Sequence, residues 1–235
     1  MRFGNLKLRH ELKFYINHHE YLGLRERIRP LLTPDKYSVS EAGYHIRSLY
    51  FDNWYETALH DKVDGIFDRK KYRIRIYNVE DDVIRMERKS RLGEYINKVS
   101  APLTREQYEW IAAGDYAFMQ HSEHELLRKF YIDSVTSRLK PSVIVDYMRE
   151  AYVFPVSDVR ITFDKQLRGS VNSLDLFDKQ LVTASVVPEP QLILEVKFNE
   201  FLPTVVHNLL QLDSHNRSAI SKYVLCRVIR KGFAD

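Results

Sequence analysis

The sequence predicts an α+β fold whose strands form an antiparallel sheet closed into a barrel. Some eight or more segments alternate apolar and polar residues with the period of two that a strand imposes, and four or five others carry helical spacing. No Gly/Ser linker or low-complexity stretch interrupts them, so the chain reads as one domain, residues 1–235. Closure is favoured because an open antiparallel sheet of that many strands would leave exposed edges. A composition of 44% hydrophobic and 29% charged residues, with 15 Tyr and 12 Phe, suits β-structure and excludes disorder.

Leu8 to Ile16 alternates as the first strand, and Asn17 can cap a helix whose apolar side is Leu22, Leu24, Ile28 and Leu32, broken around Pro30 to Pro34. Tyr44 to Phe51 is the next strand, followed by a short helix from Trp54 to Val63 that ends at Gly65. Strands follow at Arg69 to Tyr77, Val83 to Lys89 and Tyr95 to Ala101. Thr104 with Gln107, and Ser122 with Glu125, are capping-box patterns. The first opens a short helix that Gly114 closes; the second opens a longer one carrying Leu126, Leu127, Phe130 and Tyr131 and stopping near Pro141. Ser142 to Asp146, Ala151 to Phe154, Val159 to Phe163, Leu181 to Val187 and Gln191 to Phe198 read as extended, and helical spacing returns at Val205 to Leu212 and Ser218 to Ile229.

Total charge says little about partners, since 36 Lys and Arg face 32 Asp and Glu for a net +4, and any anion site must come from local segregation. The one cysteine, Cys226, cannot form an intrachain disulfide and reads as packed in the final helix of a protein of a reducing compartment. Residues Met1 to Leu12 lack the apolar core of a signal peptide, and no stretch approaches a membrane span, so the expectation is a cytoplasmic protein. Neither a P-loop nor a GxGxxG pattern occurs, and the His18-His19 and His121/His124 pairs read as solvated rather than as zinc ligands.

Function is written in the strands. Glu11-Leu12-Lys13, Glu87-Arg88-Lys89 and Glu195-Val196-Lys197 each put a carboxylate and an ammonium side by side on one strand face. Lys71, Arg73 and Arg75 do the same with three cations while Tyr72, Ile74 and Ile76 take the other face, Arg47 and Arg160 sit within further strands, and Arg149 follows the alternating run Val143, Val145, Tyr147. Two readings are open: a solvated face, the normal signature of an antiparallel sheet, or a curved, wet interior lined for phosphate. In the second, Lys13, Arg47, Arg73, Arg75, Lys89, Arg149, Arg160 and Lys197 converge with Glu11, Glu87 and Glu195, and a polyanion or water must relieve their repulsion. The carboxylates then hold the cations in place or bind Mg²⁺ or Mn²⁺, Glu195 foremost and Glu11 or Glu87 behind it. The Lys71 to Tyr77 run also fits a nucleic-acid surface, although DNA is not the expected partner.

Quoted in order, Arg9-His10-Glu11-Leu12-Lys13-Phe14-Tyr15-Ile16, Ile46-Arg47-Ser48-Leu49-Tyr50-Phe51-Asp52, Lys71 to Tyr77, Glu87-Arg88-Lys89, Tyr147-Met148-Arg149-Glu150-Ala151, Arg160-Ile161-Thr162-Phe163-Asp164, Leu194-Glu195-Val196-Lys197 and Ser221-Lys222-Tyr223 resemble one family. It is the polyphosphate polymerase domain named after the vacuolar transporter chaperone complex, within the triphosphate tunnel metalloenzymes. The resemblance implies an eight-stranded antiparallel tunnel that binds triphosphate or polyphosphate with a divalent cation. It assigns phosphate contacts to Lys13, Arg47, Arg73, Arg75, Lys89, Arg149, Arg160 and Lys222, with Lys98 matching in spacing, and the metal to Glu195. Of these, Lys13, Arg75, Lys89 and Lys222 are the expected catalytic group; Arg47, Arg73, Lys98, Arg149, Arg160 and Lys197 are expected to bind substrate. The implied reaction moves the terminal phosphoryl group of a nucleoside triphosphate onto polyphosphate, with triphosphate hydrolysis or polyanion binding alone as alternatives. Eukaryotic relatives also carry an inositol-phosphate-sensing domain and membrane spans, absent from this sequence, which resembles the stand-alone module; a membrane or regulatory partner protein is compatible with that reading.

Overall fold

Helix caps and strand alternation resolve, in the computed structural model, into twelve strands and six α-helices over the residues described, 2–3, 6–7, 10–93 and 95–233. The first half of the chain holds β1 (Arg2–Phe3), β2 (Leu6–Lys7), β3 (His10–Ile16), α1 (His18–Ile28), β4 (Thr33–Pro34), β5 (Tyr44–Asp52), α2 (Thr57–Val63), β6 (Asp68–Tyr77), β7 (Glu80–Leu92), β8 (Tyr95–Leu103) and α3 (Arg105–Ala112). The second half adds α4 (Glu125–Ser137), β9 (Lys140–Val153), β10 (Arg160–Ser170), β11 (Thr183–Ser185), β12 (Leu192–Phe198), α5 (Thr204–Leu210) and α6 (Lys222–Gly232). Eight of these strands, β3, β5 to β10 and β12, are seven residues or longer. The chain forms two interleaved units: Met1–His45, Tyr147–Leu167 and Val187–Ser221 make the first, and Ile46–Asp146, Arg168–Val186 and Lys222–Asp235 the second.

In the first unit β3, β12 and β10 lie side by side in antiparallel register, followed by β9. Lys13 stands opposite Glu195 and Glu195 opposite Thr162; Glu11 stands opposite Lys197 and Lys197 opposite Arg160. Directly opposed residues share a face, so the alternate positions Phe14, Ile16, Leu194, Val196, Ile161 and Phe163 share the other. That second face is the core, covered by Tyr21, Leu24 and Ile28 of α1 and by Val206 and Leu210 of α5. Each such side chain, fully buried, contributes about 1.5–3 kcal/mol. Asn17 starts α1 with a full capping box: its side chain accepts from the Glu20 N–H at 2.9 Å and the Glu20 carboxylate accepts from the Asn17 N–H at 2.6 Å. Gly43, at φ +96°, passes so close to β9 that a Cβ there would lie 2.0 Å from the Arg149 carbonyl oxygen.

In the second unit the order is β10, β9, β5, β6, β7, β8. The β5–β6, β6–β7 and β7–β8 ladders are antiparallel. Leu49, Phe51, Tyr72, Ile74, Ile76, Ile84, Met86 and Ala101 form the apolar face, packed under Tyr108 and Ile111 of α3 and Leu126, Leu127 and Phe130 of α4. Phe130 meets the rings of Phe51 at 5.0 Å and Tyr72 at 5.1 Å edge-on, the geometry their quadrupoles favour. The ladders end at β3 in the first unit and at β8 in the second.

Several sequence expectations shift. Leu8 and Arg9 lie outside the described residues. Leu22 is 44% exposed and Tyr21 takes its place, because residues 21, 24 and 28 follow the helical repeat more closely than 22 does. Helix α2 starts at Thr57 rather than Trp54, since the Asp52 carboxylate accepts from the N–H groups of Ala58 and Leu59 and so caps the helix from the end of β5. The Ser122/Glu125 box does not form: Ser122 Oγ accepts from the His124 N–H instead, and α4 begins at Glu125 without a side-chain cap. The two strands expected on either side of Arg149 are one, β9, because Arg149 and Glu150 are both neutralised by partners and need no exit from the sheet. Only Thr183–Ser185 of the Leu181 to Val187 stretch is strand. Helix α6 begins at Lys222, not Ser218, because Arg217 bridges to Phe14 and the Ser218 N–H donates to the Lys13 carbonyl.

Candidate functional site

The polar face of β3, β12 and β10 gathers charge in equal measure. Glu195, 3% exposed, receives Lys13 at 3.4 Å, Lys197 at 3.0 Å and Arg149 at 3.6 Å. Lys13 and Lys197 also reach Glu11, at 3.8 and 3.4 Å, and Lys13 donates to the Ile220 carbonyl at 3.1 Å. Arg149 on β9 forms a two-pronged bond with Asp164 at 2.6 and 2.7 Å. Burial works against its charge, but Asp164, Tyr147 and Glu195 together keep the guanidinium protonated far above the usual arginine range. Arg160 pairs with Asp35 and donates to the Tyr44 hydroxyl at 2.9 Å. Four cations thus meet four carboxylates here.

The face of β6, β7 and β8 is different. Lys71 stands opposite Lys89 and Lys89 opposite Lys98, a row of three ammonium groups across three strands. In the next row Arg73 is opposite Glu87, and Glu87 receives Arg73 Nε at 2.7 Å and also Lys98. Arg73 donates besides to the Tyr50 hydroxyl at 2.7 Å, and its guanidinium lies 5.6 Å from that ring's centre. In the third row Arg75, buried, donates to Ser48 Oγ at 3.0 Å and stands opposite Arg85. In these three rows, among the described residues, six cations share the face with one buried carboxylate.

The electrostatics follow from that imbalance. Burial would raise the Glu87 carboxyl, but Arg73, Arg75 and Lys98 outweigh it and hold the group well below the usual carboxylate range. Burial pulls Lys98 down to about 8, assisted by Arg73 and Arg75 and opposed by Glu87. Lys71 falls to about 7, through burial first and then Lys62, Arg69 and Lys89, with Asp52 opposing. Its ammonium lies 4.4 Å from the centre of the Tyr223 ring, whose hydroxyl donates to Asp52 at 2.5 Å.

One expected site residue stands apart from these groups. Arg47 pairs across β5–β6 with Ile76, which puts it on the apolar, helix-covered face. There it donates to Asp146 at 2.7 Å and to the carbonyls of Leu176 at 3.1 Å and Asp178 at 2.6 Å, so its guanidinium is occupied in holding β9 and the 176–178 loop. Lys222 opens α6 in the second unit and is buried. Residues absent from the expected site are Tyr50, Ser48, Asp35, Tyr44, Asp164 and Thr162, together with Lys71, which the sequence placed on the cationic face without a contact of its own. Strand alternation carried a signal for Lys71, two residues before Arg73, but Ser48 and Tyr50 lie an odd number of positions from Arg47, the site residue expected on β5, and nothing in the sequence pairs Asp35 with Arg160.

Among the described residues no three His, Cys, Asp or Glu side chains are grouped so as to hold a metal unaided. Glu195 and Glu11 share Lys13 and Lys197, and such a two-carboxylate donor set fits a hard divalent cation that completes its shell with water and phosphate oxygens. Glu87 belongs to the other cluster, with Arg73 and Lys98. Cys226 is buried beside the Arg168 carbonyl, and burial pushes its thiol well above the usual range, which makes it a packing residue.

A family model described as the VTC domain matches residues 8–229. Among solved structures, a candidate adenylate cyclase from Vibrio parahaemolyticus is 10% identical, with 94% of this chain and 98% of that chain covered at a TM-score of 0.50. A candidate adenylate cyclase from Bacillus halodurans is 11% identical over 98% of this chain and 92% of that one, also at 0.50. A protein from Pyrococcus horikoshii is 12% identical over 92% and 98% at the same score. At such identities the likeness is one of fold, an antiparallel sheet with flanking helices. No curated protein matches the sequence significantly. Among the described residues no helix is long and apolar enough to cross a membrane.

Proposed function

The chain belongs to the VTC domain family, and on that premise we propose that it is a metal-dependent phosphotransferase that moves the terminal phosphoryl group of a nucleoside triphosphate onto a polyphosphate chain. The observation that carries this reading is the Lys71, Lys89, Lys98 row beside Arg73 and Arg75. Like charges directly opposite one another on a sheet cost roughly 0.2–1 kcal/mol per pair, and an array of phosphoryl groups turns that cost into attraction. The guanidinium groups of Arg73 and Arg75 suit paired phosphate oxygens, while the lysines add mobile point charges. Arg75 and Lys89 neutralise charge at the transferred group; Arg73 and Lys98 hold the chain.

Within the first unit Lys13, Arg149, Arg160 and Lys197 are assigned phosphate contacts of their own and within the second so is Lys222, while Arg47 supports the fold from the apolar side. Glu195 with Glu11 would hold Mn²⁺ or Mg²⁺, which when bound would supply charge neutralisation to phosphoryl oxygens. Phosphoryl transfer needs alignment and charge neutralisation more than a covalent nucleophile, and the cations on these strands are of the kind that supplies both. The nucleotide would be drawn from the cytoplasm. Incubating the purified protein with ATP and Mn²⁺ or Mg²⁺ and identifying products tests the reading. It predicts acid-insoluble polyphosphate with a matching yield of nucleoside diphosphate. Orthophosphate without polymer would replace it with hydrolysis, and binding without turnover would replace it with a polyanion-binding role.

A further inference from the structure

The cationic face of β6 and β7 does not stop at Lys71. Arg69 lies two residues before it, on the same face, and stands directly opposite Arg91. Both side chains are half-buried, and the Arg69 guanidinium is pulled down by burial and by Arg91, with Asp61 opposing. Their hydrogen bonds go to backbone carbonyls, Arg69 to Ile66 and Arg91 to Gly93 at 2.6 Å, which leaves the charge of both uncompensated by those bonds. Lys62 of α2 adds a further cation that acts on Lys71. By contrast Lys70 and Tyr72, on the opposite face, share the Asp133 carboxylate of α4 at 2.6 and 2.7 Å. Cations on the helix side of β6 are neutralised, whereas those on the other side accumulate row after row.

Resting on the function proposed above, we propose that Arg69 and Arg91 form a distal subsite that takes phosphoryl units of a chain beyond the third, so that this protein prefers a long linear polyphosphate to tripolyphosphate. The Arg69 row is four residues from the Arg73 row, about 13 Å at the rise of a strand. A triphosphate gripped by Arg73, Arg75 and the lysine row leaves Arg69 and Arg91 without a phosphoryl group. A longer chain lying along the strands reaches them and relieves the repulsion between two half-buried guanidinium groups. With the same pair in a solvated role, affinity would grow with chain length only through the number of overlapping three-unit registers, and alanines at the two positions would leave that growth untouched.

The test is calorimetric titration with tripolyphosphate and with a linear polyphosphate of about fourteen units, on the wild type, the Arg69→Ala/Arg91→Ala double variant and the Arg69→Lys/Arg91→Lys double variant. Wild type should bind the long chain at least tenfold more tightly, counted per three-unit register, of which such a chain offers about twelve. The alanine variant should lose most of that advantage while its tripolyphosphate affinity stays within about twofold, which also reports that it is folded. The lysine variant should recover most of the preference, because charge rather than the carbonyl bonds is what the chain meets. Equal losses for both ligands, or a long-chain preference untouched by the alanines, would overturn the subsite. If wild type binds neither ligand, the underlying phosphate-binding reading fails instead, and the subsite with it.

Discussion

Binding of a phosphate chain should be accompanied by proton uptake, and Lys71 should account for much of it. In the free protein Lys71 titrates at about 7 and Lys98 at about 8, both held down by burial and by neighbouring cations. At pH 8 Lys71 is then roughly nine-tenths neutral and Lys98 roughly half neutral, while a bound polyanion favours the charged form of each. Saturation at pH 8 therefore takes up about 0.9 proton at Lys71 and about 0.5 at Lys98. Because the complex holds more protons than the free protein, affinity falls as pH rises above 7, with a slope of about 0.6 decade per unit at pH 7 that steepens to about 1.4 at pH 8. Titration calorimetry in buffers of different ionisation enthalpy measures the uptake directly. The ligand's own terminal protons contribute equally to wild type and variant, so the difference between wild type and Lys71→Met isolates the side chain. That difference should be close to 0.9 proton at pH 8 and should vanish near pH 5.5. Identical uptake by the two proteins at pH 8 would refute the placement of Lys71 against bound phosphate.

Three further outcomes follow from the same contacts. Glu87→Gln removes a buried carboxylate that Arg73, Arg75 and Lys98 act on and should destabilise the fold by about 3–5 kcal/mol, read from the denaturant midpoint. The wild-type benefit, arising from a carboxyl held below its ordinary range, is present above about pH 4.3 and is lost as pH falls below that. Asn17→Ala should cost about 1 kcal/mol by removing the capping box of α1, with no change in phosphate affinity. Glu195→Gln should reduce metal-dependent turnover more than metal-free phosphate binding, since Lys13, Lys197 and Arg149 keep their charge; an equal loss in both would remove Glu195 from the metal.

Much of this was legible in the sequence because alternation is a local property. Once Leu12, Phe14 and Ile16 are read as one face of a strand, Glu11 and Lys13 must take the other, and the opposed register with Glu195 and Lys197 only brings together what period two had sorted. The same logic misassigned a face at Arg47. A cation within a strand reads as polar-facing, yet Ile46, Ser48 and Tyr50 share the side of Arg73 and Arg75 while Arg47 shares that of Leu49 and Phe51. What rescues a guanidinium on the apolar face is Asp146 with two carbonyls, contacts made by residues about a hundred or more positions away that no local pattern contains. Long β9 was split for a similar reason: Arg149 and Glu150 look like a break until Asp164, Tyr21, Arg25 and Lys165 are in place around them. Burial would raise Glu150, but bonds from Tyr152, Tyr21, Arg25 and Lys165 bring it down to about 2.

The most direct test of the account is tripolyphosphate affinity in the wild type and in the Arg73→Ala/Arg75→Ala double variant, measured at two salt concentrations. Wild type should bind with a strong salt dependence, and the double variant should lose about 1.5–3 kcal/mol for each charged hydrogen bond removed. Unchanged affinity in the folded double variant would mean that the cationic rows of β6 to β8 face solvent and hold no phosphate.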